Sequence, residues 1–199
     1  MFKSIQNFPR QRLIRQMGSG DNRLALQAVD ALRSRGWFRD GTLRGANLDG
    51  ANLQGAALAK ADLAEALLRR ADLTQCYLGE TILHAADLSG ARLCDANMRD
   101  VQLHAANLSG ADLTRAYLAQ ARLHCANLSD ANLSGTNFWQ ALLTGVRLQG
   151  ANLLGAQFHL TQFDADTILP DGAHWTPDAD LTRFTDPTHP QFWPANGTR

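Results

Sequence analysis

From residue 41 to residue 165, every fifth position is a large apolar residue, and the spacing never slips. Every fifth residue from Leu43 to Phe163 is leucine, except for Met98, Phe138, Phe158 and Phe163. Two places before each of these centres stands a small residue. It is alanine in most units, otherwise Gly41, Cys76, Thr81, Val101, Thr136, Val146 or Thr161. Between the two, Asn or Asp recurs, as in Ala46-Asn47-Leu48, Ala61-Asp62-Leu63 and Ala131-Asn132-Leu133. An amphipathic helix requires apolar spacings of three and four, and an ordinary strand requires sustained alternation. A beat of five whose inward pair sits two apart predicts a very short strand followed by a turn. Charge gives an independent test: none of the 20 Lys, Arg, Asp and Glu residues between 41 and 165 occupies the small-residue or centre column. Those two columns therefore form a dry interior, and the other three face water. Such units bury their apolar faces only by stacking on one another.

The outer columns set the size of one coil. His84, His104 and His124 recur every twenty residues, as do Ser89, Ser109 and Ser129. Twenty residues are four pentapeptides, which predicts a four-sided coil. With coils stacked at about 4.8 Å, the repeat makes a rod on the order of 30 Å long.

Ala-(Asn/Asp)-Leu-X-X in unbroken tandem resembles the pentapeptide repeat family. The resemblance covers about two-thirds of the chain. It implies an all-β solenoid, a right-handed quadrilateral β-helix of about six coils. The handedness comes from the resemblance and not from the period.

Three segments follow: an N-terminal helical cap over residues 1–40, the β-helix over 41–165, and a non-repeat cap or tail over 166–199. A solenoid needs such caps because each end exposes unpaired backbone and an open apolar cross-section. Asn7 and Pro9 suit the start of a first helix, whose stripe is Leu13, Ile14 and Met17 and whose stop is Gly18. A second helix should start near Asp21, carry Leu24, Ala28, Ala31 and Leu32 on one side, and end at Gly36. Past Phe163, Ile168 still falls on the centre column by count, but the prolines from Pro170 to Pro194 end the regular coils. Trp175, Phe184, Phe192 and Trp193 should fold back over the last coil. The larger centres Phe138, Phe158 and Phe163 suit a core adapted to that end.

Composition narrows the function. The 19 Lys and Arg balance 19 Asp and Glu, so the total charge points neither to nucleic acid nor to acidic mimicry. Residues 1–40 are basic, with 8 cationic against 3 acidic, and residues 166–199 are acidic, with 2 against 5. No signal-like apolar run or membrane span is visible, which makes cytoplasmic the expected location. Three widely spaced cysteines suit neither a disulfide framework nor a zinc site. Cys76 belongs in the buried small-residue column, and Cys94 and Cys125 face outward on different sides.

Two surface features carry candidate chemistry. His84, His104 and His124 stack on one face, and adjacent imidazoles of such a ladder can share a metal. The plainer reading is an exposed polar ladder left by duplication, since further ligands cannot be placed. The face centred on Leu58, Leu78, Met98, Leu118, Phe138 and Phe158 carries Tyr77, Arg99, Tyr117, Trp139 and His159, residue types enriched at interface hot spots. Either a protein partner or the chain's own caps cover it. No Ser-His-Asp grouping, phosphate loop or carboxylate pair is present, and no cofactor is expected. Aspartates occupy a column where Asn serves equally, which is poor evidence for acid–base work.

The leading expectation is a non-enzymatic scaffold offering a rigid face to an unidentified protein partner. Capped ends favour a monomer, with a homodimer through the aromatic face as the alternative. The resemblance supplies a second reading, since some family members mimic duplex DNA and bind type II topoisomerases such as gyrase. Mimicry needs an extended acidic surface, whereas residues 41–165 hold 11 acidic against 9 cationic residues. Those relatives also tend to have Phe-rich centres. Metal binding through the histidines is the third reading.

Overall fold

The computed structural model of the chain describes residues 3–195. Successive coils are tied by parallel bridges between residues twenty apart, beginning with Asn47 and Leu67, and the bridges fall on four ladders. Each bridge uses the residue just before a centre. The Leu48 N–H donates to the Leu67 carbonyl of the next coil at 2.7 Å, and the Leu67 N–H donates back to Ala46 at 2.9 Å. The alternating Ala and Leu side chains point the same way and are buried nearly without exception from Leu43 to Leu153. The result is a β-helix whose core is one continuous stack of alanine and leucine.

Turns between strands follow from the spacing. The Ala51 N–H closes onto the Leu48 carbonyl at 3.0 Å, a four-residue turn whose third residue, Gly50, has φ +63°. The same corner position is left-handed in the other units, and fifteen non-glycine residues hold it with φ between +53° and +64°. Asn and Asp support these turns. The Asn107 Oδ1 accepts the N–H of Ser109, and the Asp87 Oδ1 accepts that of Ser89, each two residues on. Either residue closes the turn because the turn bond needs only the acceptor oxygen.

At the N-terminal end, α1 spans Lys3–Met17 and α2 spans Asn22–Ser34. Pro9 lies inside α1, so Asn7 and Pro9 do not mark its start. A proline there removes one backbone donor from the helix. Asp21 caps α2 as expected, its side chain accepting from the Leu24 N–H. The buried face of α2 differs from the expected one. It is Ala25, Ala28, Val29 and Leu32, while Leu24 is exposed and Ala31 half-buried. Packing against both α1 and the first coil rotates the helix by about one position. The cap also supplies acceptors to the open edge of that coil, with the Ser19 carbonyl taking the Asn52 N–H and Phe38 taking that of Asp62.

At the other end the five-residue frame slips once. Arg147 pairs with Ile168, twenty-one residues away, so Ile168 is not a centre residue. Leu169 takes that place and is buried, and Thr167 takes the small-residue place. The Thr167 hydroxyl donates to the Leu143 carbonyl at 2.9 Å, as Thr81 and Thr136 donate to Leu58 and Leu113 one coil earlier. The extra residue is absorbed at the Asp164–Asp166 corner, where the Asp164 carboxylate holds both the Thr167 hydroxyl and the Gly145 N–H. Coil pairing thus continues past residue 165.

Pro170-Asp171-Gly172 then reverses the chain, and Ile168 meets His174 in an antiparallel bridge that covers the last edge. Trp175 stacks on Phe163 with ring centroids 5.7 Å apart, and Phe138, Phe158 and Phe163 continue that aromatic column inward. Helix α3, Thr182–Thr185, buries Phe184, and the Thr185 carbonyl accepts the Gly155 N–H. Trp193 packs against the core and Phe192 is half-buried. No helix among the described residues is long and apolar enough to cross a membrane.

Candidate partner face and histidine ladder

Tyr77, Asn97, Tyr117, Asn137 and Gln157 form one bridge ladder, so their side chains rise in line from one face. Tyr77 is 58% exposed, Tyr117 39% and Trp139 37%. The caps therefore leave these aromatics open, and the intramolecular cover weighed from the sequence is not formed by the described residues. Ala119, fully buried, lies between Arg99 and Trp139 in the next column. Arg99 is held flat by Gln120 and Asp100, at 2.9 Å and 3.2 Å. His159 is exposed on the same face.

Two apolar residues were missed by sequence reasoning. Leu160 is 59% exposed at the corner after His159, and Leu154 is 40% exposed on the adjoining face. The signal was available: at twenty-residue spacing Leu160 follows Lys60, Glu80, Asp100, Gln120 and Gln140, and Leu154 follows Gln54, Thr74, Cys94, Thr114 and Ser134. With Leu160, this face and its corner carry four of the six exposed large hydrophobic residues among the described ones.

The histidine ladder forms, but unevenly. His104 and His124 stack with centroids 5.1 Å apart and planes 11° apart, whereas His84 meets His104 edge-on at 6.0 Å. His124 uses both ring nitrogens locally: Nδ1 lies 2.8 Å from the Thr144 hydroxyl and Nε2 lies 3.3 Å from the Cys125 thiol. Among the described residues no group of three His, Cys, Asp or Glu side chains is placed to hold a metal. All three cysteines are free; Cys76 is buried, Cys94 half-buried and Cys125 exposed.

Charge on the coils is arranged in vertical pairs. Arg115 binds Asp95 through two bonds of 2.8 Å, Arg69 grips Asp49, Arg92 lies 3.6 Å from Asp72, and Lys60 lies 3.3 Å from Glu80. Arg44 bridges Asp62 and Glu65. The Arg69 guanidinium and its backbone N–H hold the Asp49 carboxyl below its usual range, and Arg115 does the same for Asp95, in each case against a smaller effect of burial. Of the adjacent cations Arg69 and Arg70, the first is thus neutralised from the coil below.

The repeat itself decides what the chain is. The model of pentapeptide repeats matches it in eight copies, over residues 37–63, 61–100, 102–140 and 126–163. The chain belongs to the pentapeptide repeat family. Among solved pentapeptide repeat structures it is similar to Rfr23 from the cyanobacterium Cyanothece 51142, at 36% identity over 49% of this chain and 63% of that one, with a TM-score of 0.32. The chain therefore spans less than two-thirds of Rfr23. It is similar to HetL from Nostoc sp. strain PCC 7120, involved in heterocyst differentiation regulation, at 32% identity over 66% of this chain and 76% of that one, with a TM-score of 0.31. A trypsin-treated variant of QnrB1, a plasmid-mediated fluoroquinolone resistance protein, shares the fold at 21% identity over 67% and 71% of the chains, with a TM-score of 0.50. Comparison with curated proteins finds no match.

Proposed function

We propose that this pentapeptide repeat protein is a non-enzymatic scaffold, a right-handed four-sided β-helix that binds a protein partner through the face bearing Tyr77, Arg99, Tyr117, Trp139 and His159. The observation that supports this reading most is the exposure of Tyr77, Tyr117 and Trp139 on a flat face that neither cap covers among the described residues. Tyrosine and tryptophan on a rigid backbone bury large area at little entropic cost when a partner docks, and arginine is likewise enriched at binding hot spots. The other faces carry mainly Asn, Asp, Ser, Thr and Gly, which are already engaged in turn and ladder bonds. With no insertion in any of coils 41–163, the face itself is what the solenoid has to offer.

The same geometry weighs against a duplex mimic. Seven of the eleven acidic residues in 41–165 lie within 4.0 Å of a cationic nitrogen: Asp49, Asp62, Glu65, Asp72, Glu80, Asp95 and Asp100. Acid paired this closely presents no continuous negative stripe. The test has two arms. Immobilised protein should retain a specific partner that a Tyr77→Ala/Tyr117→Ala/Trp139→Ala variant of unchanged melting temperature does not. Purified protein should leave gyrase supercoiling unaffected at submicromolar concentration; potent inhibition would replace this reading with the topoisomerase one.

A further inference from the structure

We propose that Cys125 is a modification site: its thiol reacts with hydroperoxides, with His124 as the group that takes the thiol proton. The other two cysteines are held inert. Cys76 lies in the core, where burial pushes its thiol up to about 12, and burial together with the neighbouring Asp112 pushes Cys94 up to about 11. The thiolate is the reacting form, so neither offers much of it at neutral pH.

Cys125 is not a solitary thiol. Its sulfur lies 3.3 Å from Nε2 of His124, and the opposite ring nitrogen lies 2.8 Å from the Thr144 hydroxyl of the next coil. One of the two neutral tautomers that fit these contacts readies the thiol. Nδ1–H donates to Thr144, which leaves the Nε2 lone pair directed at the thiol hydrogen. Nucleophile, base and a third group that orients the base stand in one chain, the arrangement by which a thiol is activated. His104, stacked on His124 from the coil below, fixes the ring further.

Access is provided by small neighbours. In the corner column, Cys125 sits between Ala105 and Gly145, one coil to either side. A Cβ at Gly145 would lie 3.3 Å from the Cys125 sulfur, so glycine there keeps the thiol uncovered. Cys125 is itself exposed, which leaves it open to a small reagent.

The step balances without any metal or cofactor. The thiol proton moves to His124 Nε2, and the sulfur attacks the terminal oxygen of the hydroperoxide. The O–O bond breaks, and the leaving alkoxide takes the proton from His124 and departs as an alcohol, or as water from hydrogen peroxide. Sulfur is oxidised by two electrons to a sulfenic acid, and the peroxide is reduced by the same two. Cys94 stands on another face, so the sulfenic acid has no partner thiol within the chain and is open to an external one.

The experiment exposes the folded full-length chain to hydrogen peroxide at pH 7, traps sulfenic acid with dimedone and quantifies each cysteine by peptide mass spectrometry. Cys125 should label at least about tenfold faster than Cys94 or Cys76. His124→Gln should slow Cys125 about tenfold or more, and Thr144→Val should slow it while Thr144→Ser preserves it. Labelling of Cys76 reports a variant that has lost its fold, in which event the two Thr144 variants decide. Equal labelling of Cys94 and Cys125 overturns the proposal. So does an unchanged Cys125 rate in a folded His124→Gln protein or in Thr144→Val.

Discussion

Asn107 donates from its Nδ2 to Oδ1 of Asp87, one coil below, at 3.1 Å, while its own Oδ1 accepts the Ser109 N–H at 3.2 Å. One side chain therefore closes its own turn and ties two coils together. Asn127 repeats the bond onto Asn107 at 3.3 Å. Replacing Asn107 by Ala removes all three contacts and should cost about 1–3 kcal/mol in unfolding free energy. Asn107→Asp keeps the turn acceptor but sets a second carboxylate against Asp87. It should be clearly destabilising at pH 7, with the deficit shrinking as the pH is lowered. Denaturant titration of the three proteins at two pH values checks this.

Corner positions should separate backbone strain from packing. Ala105 holds φ +54°, and Gly110 holds φ +64° with open space where a Cβ would stand. Ala105→Gly should raise the thermal midpoint and Gly110→Ala should lower it, each by about 1 kcal/mol equivalent. Neither changes a core contact, so a large effect in either direction would assign the corners a role beyond conformation.

The core stack should respond steeply to cavities. Leu108 is fully buried between Leu88 and Leu128 of the neighbouring coils. Leu108→Ala should cost about 2–5 kcal/mol. Because each coil contacts only its neighbours, hydrogen exchange should rise first in the coils on either side of the cavity.

Acid should weaken the molecule from its surface inward. Asp49 and Asp95 are held below the usual carboxylate range by their arginine partners; burial pushes Asp164 up, but bonds from Gly145, Thr167 and Asp166 outweigh it and lower that carboxyl too. A carboxyl with a depressed folded-state pKa binds fewer protons folded than unfolded, so its contribution is complete above about pH 4 and is lost as the pH falls below that. Unfolding midpoints should be flat from pH 5 to 7 and fall below pH 4. Asp164→Asn should flatten that fall, because it removes one of the carboxyls whose protonation drives it.

How much of this was visible in the sequence depends on whether one residue carried two signals. The coil length followed from His84, His104 and His124, and the interior from the absence of charge in two columns, so the β-helix was legible throughout. The shift at Ile168 was not. Inserting Asp166 into a corner leaves no trace in hydrophobic period, because Ile168 and Leu169 are both apolar and both fit a centre. The buried face of α2 was misplaced for a related reason: Leu24 and Ala25 are both plausible inward residues until the first coil fixes the helix rotation. The aromatic face was legible as composition, but its exposure depended on where the tail packs. The tail's aromatic residues go to Phe163 and the end of the core instead.

The account rests most on that exposed face, and a photo-crosslinker tests it most directly. A benzophenone amino acid placed at Tyr117 in the cell of origin should give an adduct with a discrete partner protein. The same group at Ser109, on a polar face, should give none, and Trp139→Ala should abolish the Tyr117 adduct without changing the melting temperature. Equal adducts from both positions, or an adduct at Tyr117 that survives Trp139→Ala, would contradict the assignment of this face as the binding surface.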